Sequence, residues 1–328
     1  MPTRGAARSV SPMLATLGSV ADVTASEDAG DEWAFEMKWD GIRAIATVEG
    51  GRARFTTRNG IDVTATYPDL AGLAERVNDG VTLDGEIIAL NRRGRPDFGR
   101  LQKRMKLTRK AEVDAAVSSI PVHYMAFDIL ALDGRTVTAR LYDERRRLLT
   151  SALTSAGNVQ VPPAFDGDLD AAVASSLMLG LEGVMAKKRD SSYAVGRRSR
   201  AWIKIKHHRT QEVVVAGWRP GKGRRAGAVG SLLLGIPTED GLAYVGRVGT
   251  GFGERELVEL TARLEKMERA TSPLHDVPAA DARDARWITP SLVGEVEFAE
   301  WTPAERLRQP SWRGWRPDKS AADVIRES

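Results

Sequence analysis

The stretch FEMKWDGIR, residues 35–43, puts a lysine between two acids. Phe35, Met37 and Trp39 alternate with Glu36, Lys38 and Asp40, the period of two that sends neighbours to opposite faces of a strand. The charged face is either simply wet or points into a pocket where the amine reacts. A free lysine amine has a pKa near 10.4, so at neutral pH it is an ammonium ion and no nucleophile. Neighbouring positive charge or partial burial would favour its neutral form. Arg43 follows directly, and WIKIK places Lys204 and Lys206 on one strand face with Ile203 and Ile205 on the other. Two lysines so placed repel unless an anion sits between them, and a phosphate is the obvious candidate. The alternative is an edge strand that carries lysines against aggregation. Gly41 allows a turn, or a close ligand approach that a side chain would block.

Other chemistry-bearing residues recur at strand ends. LDGEII places Asp84, Gly85 and Glu86 where a strand should meet a turn. YMAFDIL offers Phe127 with Asp128 next to it, and LEGVMAKK offers Glu182 before Met185 and Lys187. Singly these are turn acids and core residues. Together they supply acids for ribose hydroxyls and a divalent metal, a flat ring opposite a thioether for a base, and lysines for phosphate. No Walker loop is present: GWRPGKG has three residues between its glycines, and no serine or threonine follows Lys222. GKGRRAGAVG reads as a basic hairpin loop, either touching a nucleic-acid backbone or merely flexible. The histidines lack HExxH spacing, and His207–His208 reads as interdomain linker.

The elements that must position these residues alternate short strands with short helices from about 33 to 206. Expected strands are WAFEMK, RAIATVE, RARFTTR, the run ending in GEIIAL, VHYMAFDIL, GVMAKK and AWIKIK. Expected helices include YPDLAGLAERVND, with Pro68 in its first turn, and DLDAAVASSLML. Too few helices separate the strands for a doubly wound sheet, so the class is α+β. From 212 onward EVVVAGW, SLLLGIP, LAYVGRV and EVEFAEW, with one helix in GERELVELTARLEKMERA, predict a small oligonucleotide-binding (OB) barrel, with a loose β-sandwich as the competing architecture. The border is expected within 207–211, giving domains 1–209 and 210–328.

The 328 residues suffice for two cores, and no apolar run approaches a membrane span. Zero cysteines exclude disulfides, thiol catalysis and Cys-ligated zinc or iron–sulfur sites, so a cytoplasmic home is the default. The first acid is Asp22, which leaves room for a transit peptide. Net charge is only +4 but unevenly spread. Basic clusters at Arg104/Lys106/Arg109/Lys110, Lys187–Arg189, Arg197/Arg198/Arg200, Lys204–Arg209, Arg219–Arg225 and Arg313–Lys319 suit a polyphosphate partner. Arg145, Arg146 and Arg147 instead read as the solvated face of an amphipathic helix.

In order, EMKWDGIR, TTRNG, LDGEII, YMAFDIL, EGVMAKK, WIKIK and RQPSWRGWRPDK form a series that resembles the nucleotidyltransferase motifs of ATP-dependent DNA ligases, over about residues 10–325. MLAT, EGVMAKKRDSSYAVGRRS, QEVVVAGWRPGKG and YVGRVGTGF resemble the ligase domain of the bacterial end-joining ligase D subfamily. The resemblance implies an adenylation domain followed by an OB-fold barrel, ATP as cofactor with Mg²⁺ or Mn²⁺, and sealing of 5′-phosphate/3′-hydroxyl breaks. It implies that Lys38 attacks the α-phosphorus of ATP, forming lysyl–AMP and expelling pyrophosphate. Glu36 would contact the adenine amine, while Arg43 and Arg58 would hold ribose and phosphate, with Asp40 alongside in the same motif. Glu86 would bind ribose and approach the metal that Glu182 serves, and Phe127 and Met185 would sandwich the base. Lys187, Lys204 and Lys206 would grip the α-phosphate. Arg316, Asp318 and Lys319 match the last motif, whose mobile charges orient pyrophosphate, and a hinge near 207–211 would let the second domain swing between steps.

Departures are mild. TTRNG stands where serine often precedes the arginine, and the helical DNA-binding, polymerase and phosphoesterase domains of larger relatives are missing. A stand-alone or excised ligase module is expected, a monomer acting on DNA at the nucleoid, with Ku and a separate end-joining polymerase as partners. The rivals are an mRNA-capping guanylyltransferase, an RNA ligase, and a non-catalytic nucleic-acid-binding module.

Overall fold

The computed structural model describes residues 10–105, 107–221, 223 and 227–327. The chain divides into two compact units between His207 and His208. Lys106, Lys222, Arg224 and Arg225, from two of the basic clusters, lie outside the described residues, as do the first nine residues of the N-terminal stretch considered for a transit peptide.

The first unit holds two sheets. One is built from β1 (Leu14–Gly18), β2 (Trp33–Lys38), β9 (Ala164–Asp166), β10 (Gly183–Lys188) and β11 (Arg198–Lys206), in the order β1-β11-β10-β2-β9. The other runs β4-β3-β5-β6-β7, with β3 (Ile42–Glu49), β4 (Arg52–Thr57), β5 (Val81–Ala89), β6 (Val122–Leu132) and β7 (Arg135–Thr136), and with β8 (Val159–Gln160) on β6. Alternation sorts each strand into a core face and a second face. Trp33, Phe35, Val184, Ala186, Ile203 and Ile205 turn away from the lysines and pack on α1 (Val20–Asp28) and α5 (Leu169–Leu179) through Val23, Leu169 and Ala172. The second sheet buries Ala44, Phe55, Leu83, Tyr124 and Ile129 on its own core side. Its helical cover is α2 (Phe98–Met105), α3 (Lys110–Ser119) and α4 (Tyr142–Ala152). A smaller cluster, Met13, Ile45, Leu130, Tyr193 and Trp202 with Phe127 and Met185 against it, joins the remaining faces.

Four expectations change here. YPDLAGLAERVND forms 3₁₀ turns at Thr64–Thr66 and Pro68–Glu75. Gly72 weakens a helix there, and Asp69 serves Arg104 and the Val122 N–H instead of capping. LDGEII is not a strand end, because β5 runs through it. Gly85 is needed because a Cβ would lie 2.5 Å from the Tyr124 ring. Gly41 serves packing and not a ligand: a Cβ there would lie 2.2 Å from the Ile87 carbonyl oxygen. Arg145 is fully buried, Arg146 is largely covered, and only Arg147 is exposed. The helical period puts Tyr142, Arg145 and Leu149 on the inner face of α4, and Asp128 receives the guanidinium.

The second unit is an OB-fold. Its curled sheet comprises β12 (Arg209–Pro220), β13 (Val229–Thr238), β14 (Gly241–Val248), β15 (Glu268–Arg269), β16 (Leu274–His275), β17 (Arg286–Phe298) and β18 (Ser311–Trp315). The order is β15-β17-β12-β13-β14-β16, with β18 on β17. β12 and β13 pair antiparallel. Leu257, Leu260 and Leu264 form the buried stripe of α6 (Glu254–Glu265), and the short α7 (Ala279–Ala282) precedes β17. Trp312 lies over Gly294, where a Cβ would sit 1.9 Å from its ring. Among the described residues no helix is long and apolar enough to cross a membrane.

Candidate active site

Pairing of β2, β10 and β11 arranges one sheet face in three rows. Register places Lys38 opposite Gly183 and Gly183 opposite Lys206. The next row is Glu36, Met185 and Lys204, and the third is Ala34, Lys187 and Trp202. Cross-strand neighbours of this kind stand about 5 Å apart. Residues 36, 38, 185, 187, 204 and 206 thus share a floor although up to 170 positions separate them in the chain.

In the first row Gly183 contributes no side chain, and its strand backbone approaches that of Ile205 closely. Glu182 occupies the space between the lysines. Its carboxylate pairs with Lys38 Nζ through Oε2 and with Lys206 Nζ through Oε1, the latter at 3.3 Å. Lys38 remains 20% exposed, whereas Glu182 and Lys206 are each 8% exposed. The charge nearest to Lys38 is therefore a carboxylate and not the ring of cations expected from the sequence. Three lysines, Lys38, Lys204 and Lys206, share the floor there with Glu182 and Glu36, and Glu36 is committed to Lys187.

Glu36 is buried. Tyr142 Oη donates to its Oε1 at 2.6 Å, Lys187 Nζ meets its Oε2 at 2.8 Å, and Arg146 lies at 3.8 Å. Lys187 is buried too, donates to the Phe127 carbonyl, and sits 4.3 Å from the Trp202 ring and 4.7 Å from that of Phe127. Burial lowers its pKa despite the Glu36 charge and raises that of Tyr142. In this arrangement the Lys187 charge neutralises Glu36 under the aromatic wall.

Arg43 is also committed. Its guanidinium clasps Asp84 at 2.9 and 2.5 Å, donates to the Met13 carbonyl at 2.6 Å, and lies 5.5 Å from both the Phe127 and Trp202 rings. Burial alone would lower its pKa, but Asp84 and Tyr193 reverse the effect and raise it. Tyr193 donates to Asp84 at 2.6 Å and accepts from the Met13 N–H at 2.9 Å. A small ordered lattice thus fixes the wall that carries Phe127. Arg145, clasping Asp128 at 2.8 and 3.0 Å, holds the next residue of the same strand.

The remaining expected residues are more scattered. Glu86 is half-buried in mid-β5, opposite Arg43. Asp40 follows the end of β2, and Arg58 occupies the turn after β4. In the second unit, Arg316 grips Asp318 at 3.0 and 2.8 Å and reaches Glu212 and Glu295 at 3.1 and 3.2 Å. Lys319 pairs with Glu212 at 3.0 Å. Burial would raise the Asp318 pKa, but Arg316 outweighs it and holds the carboxyl low. The charges expected to be mobile are closed on one another in this arrangement.

Among the described residues no group of three or more His, Asp or Glu gathers as a metal cage. One or two carboxylates such as Glu182 and Glu86 suit an ion that takes its other ligands from phosphate and water. Sequence reading missed Tyr142, Trp202, Tyr193 and Asp84's role. Trp202 had a signal, because it shares the period-two face of Lys204 and Lys206.

Comparison with known proteins bears directly on this geometry. Residues 12–206 match the model for the ATP dependent DNA ligase domain, and residues 225–319 match that for the ATP dependent DNA ligase C terminal region. The chain belongs to the ATP-dependent DNA ligase family. This ligase is 47% identical over 320 residues to the multifunctional non-homologous end joining DNA repair protein LigD of Mycobacterium tuberculosis, covering 97% of the chain and 40% of that protein. It is 36% identical over 308 residues to LigD of Pseudomonas aeruginosa, covering 90% of the chain and 35% of that protein. The ligase thus spans about two fifths of the length of these curated relatives. Its fold matches a mycobacterial DNA ligase D complexed with ATP and MES, with a TM-score of 0.66, 44% identity, and coverage of 97% of this chain and 98% of that one. Membership sets aside the capping-enzyme and RNA-ligase readings.

Proposed function

We propose that this chain is the sealing module of an end-joining ligase, which joins 5′-phosphate and 3′-hydroxyl ends of duplex DNA through a lysyl–AMP intermediate. The reading rests on one observation: Lys38 and Lys206 converge on a single carboxylate, Glu182, on a floor that also carries Lys204. Three lysines gathered on one sheet face suit a phosphate, and the half-buried Phe127 and Met185 beside Trp202 suit a flat base. Lys38 must give up its ammonium proton, for which the Glu182 carboxylate is the adjacent acceptor, and leave Glu182 before its amine can attack the α-phosphorus. The P–N bond then forms as the bond to pyrophosphate breaks. In the next step a DNA 5′-phosphate displaces Lys38 from AMP, and finally the 3′-hydroxyl displaces AMP.

Lys204 and Lys206 stabilise charge on the phosphate, and the Tyr142–Glu36–Lys187 group presents a fixed acceptor to the base amine. Glu182, with Glu86, is the residue that would hold Mg²⁺ or Mn²⁺, which would supply electrostatic stabilisation of the transferring phosphoryl group. Arg316, Asp318 and Lys319 would act on pyrophosphate after exchanging their present partners. Arg58 and Asp40 are assigned by motif alone. We infer a monomer at the nucleoid of the cytoplasm, with Ku and a separate polymerase holding and filling the ends.

The test is incubation with α-labelled ATP and Mg²⁺. Covalent label that resists base and is released by acid is expected, and Lys38→Ala should reduce it by more than about a thousandfold. Label from GTP and not ATP, or intact DNA binding without any label, would overturn the reading.

A further inference from the structure

The last turn of α5 leaves Leu177, Met178 and Leu179 exposed by 56%, 71% and 45%, just before the left-handed cap at Gly180. Against it lies the loop after β5, Asn91-Arg92-Arg93-Gly94-Arg95. Arg95 Nη2 donates to the Met178 carbonyl at 3.2 Å. The loop is held by its own bonds. Asn91 Oδ1 accepts from the N–H groups of Arg93 and Arg95 at 2.8 and 3.2 Å. The Asn91 N–H donates to the Arg95 carbonyl at 2.8 Å, and the turn uses Gly94 at φ +72°. Arg92, Arg93 and Arg95 are exposed, and among the described residues no carboxylate pairs with any of them. Two residues, Gly180 and Leu181, join Leu179 to Glu182, so their Cα atoms lie at most about 11 Å apart. Glu182 itself holds Lys38.

We propose that this patch is where the ligase grips duplex DNA beside the break, with Arg92 and Arg93 on backbone phosphates and Leu177 and Met178 against the minor groove. A solvated basic face would not carry three exposed apolar side chains at its centre, and an ordinary apolar protein contact would not carry unneutralised arginines on an ordered loop. Cations on the backbone beside apolar side chains pressed to base edges are the pairing used by minor-groove binders.

The proposal rests on the DNA-sealing reading above, and the test separates the two. The full chain and the variants Arg92→Gln/Arg93→Gln and Met178→Ser are titrated with nicked duplex by fluorescence anisotropy between about 50 and 200 mM salt. Each is labelled in parallel with α-labelled ATP, which also reports folding. The double variant should label like the parent, bind nicked duplex at least about fivefold more weakly, and show a log–log salt slope shallower by about 2. Met178→Ser should lose less affinity and keep the parental slope. Unchanged affinity and slope in a double variant that still labels would overturn the interface, including the case in which a protein partner occupies the patch. Absence of label from the parent would overturn the active-site reading alone, since the binding comparison is made without ATP.

Discussion

The two charged clusters of this protein use the same residue types in different arrangements. In the first unit Lys38 and Lys206 share one carboxylate, with Lys204 on the same face. In the second, Arg313, Arg316 and Lys319 face Glu212, Glu295 and Asp318, so the charges cancel. The first cluster gathers three lysines on one sheet face, whereas the second closes on itself and holds a strand end in place. Arg145–Asp128 is the limit of the second kind, with both partners essentially excluded from water. Position in a motif therefore does not decide whether a charge is available. Its partners in the fold do.

Asp128→Ala should have the largest effect, because it strands a buried guanidinium. We expect a loss of about 3–5 kcal/mol in urea unfolding, and a loss below about 1 kcal/mol would show that the pair is not buried in solution. Arg316→Ala breaks the balanced cluster and should cost about 2–3 kcal/mol. It should also change the acid limb of stability. The Asp318 carboxyl is held below its ordinary value of 3.8. Its contribution is thus complete above that value and lost as pH falls through the lowered one. Thermal melts of the parent should therefore weaken steeply below about pH 4, and those of Arg316→Ala less so.

Glu182→Gln tests the lysine-bearing cluster. Labelling by ATP should fall about tenfold to hundredfold, equivalent to about 1.4–2.7 kcal/mol of barrier. Parental labelling would remove Glu182 from the site. Tyr142→Phe should raise the KM for ATP more than it lowers kcat, since it loosens only the bond to Glu36. An effect on kcat alone would contradict that role. The exposed pair Arg308–Glu300 is the control, and Arg308→Ala should change stability by less than about 0.5 kcal/mol.

Much of the strand order and the shared face of Glu36 and Lys38, and of Lys204 and Lys206, was legible because a period of two leaves its mark within a few residues. The burial of Arg145 was not. Three consecutive arginines look like a wet face until Asp128, on a strand seventeen residues away, is brought beneath one of them. Arg104, read as part of a basic cluster, is buried on Asp69 for the same reason. The NRRGR loop was overlooked as well, since only its contact with the exposed end of α5 makes it more than a solvated turn.

The sequence by itself determined which residue types stand in which order, which of them share a strand face, and, through the ordered motifs, which family the chain resembles. Only the tertiary structure decided partners: Glu182 for Lys38 across 144 positions, Glu36 for Lys187, and Asp84 for Arg43. The reason is physical. Alternation is a property of one strand's backbone, but the partner of a charge depends on which strands lie side by side, and that is settled by packing among distant segments.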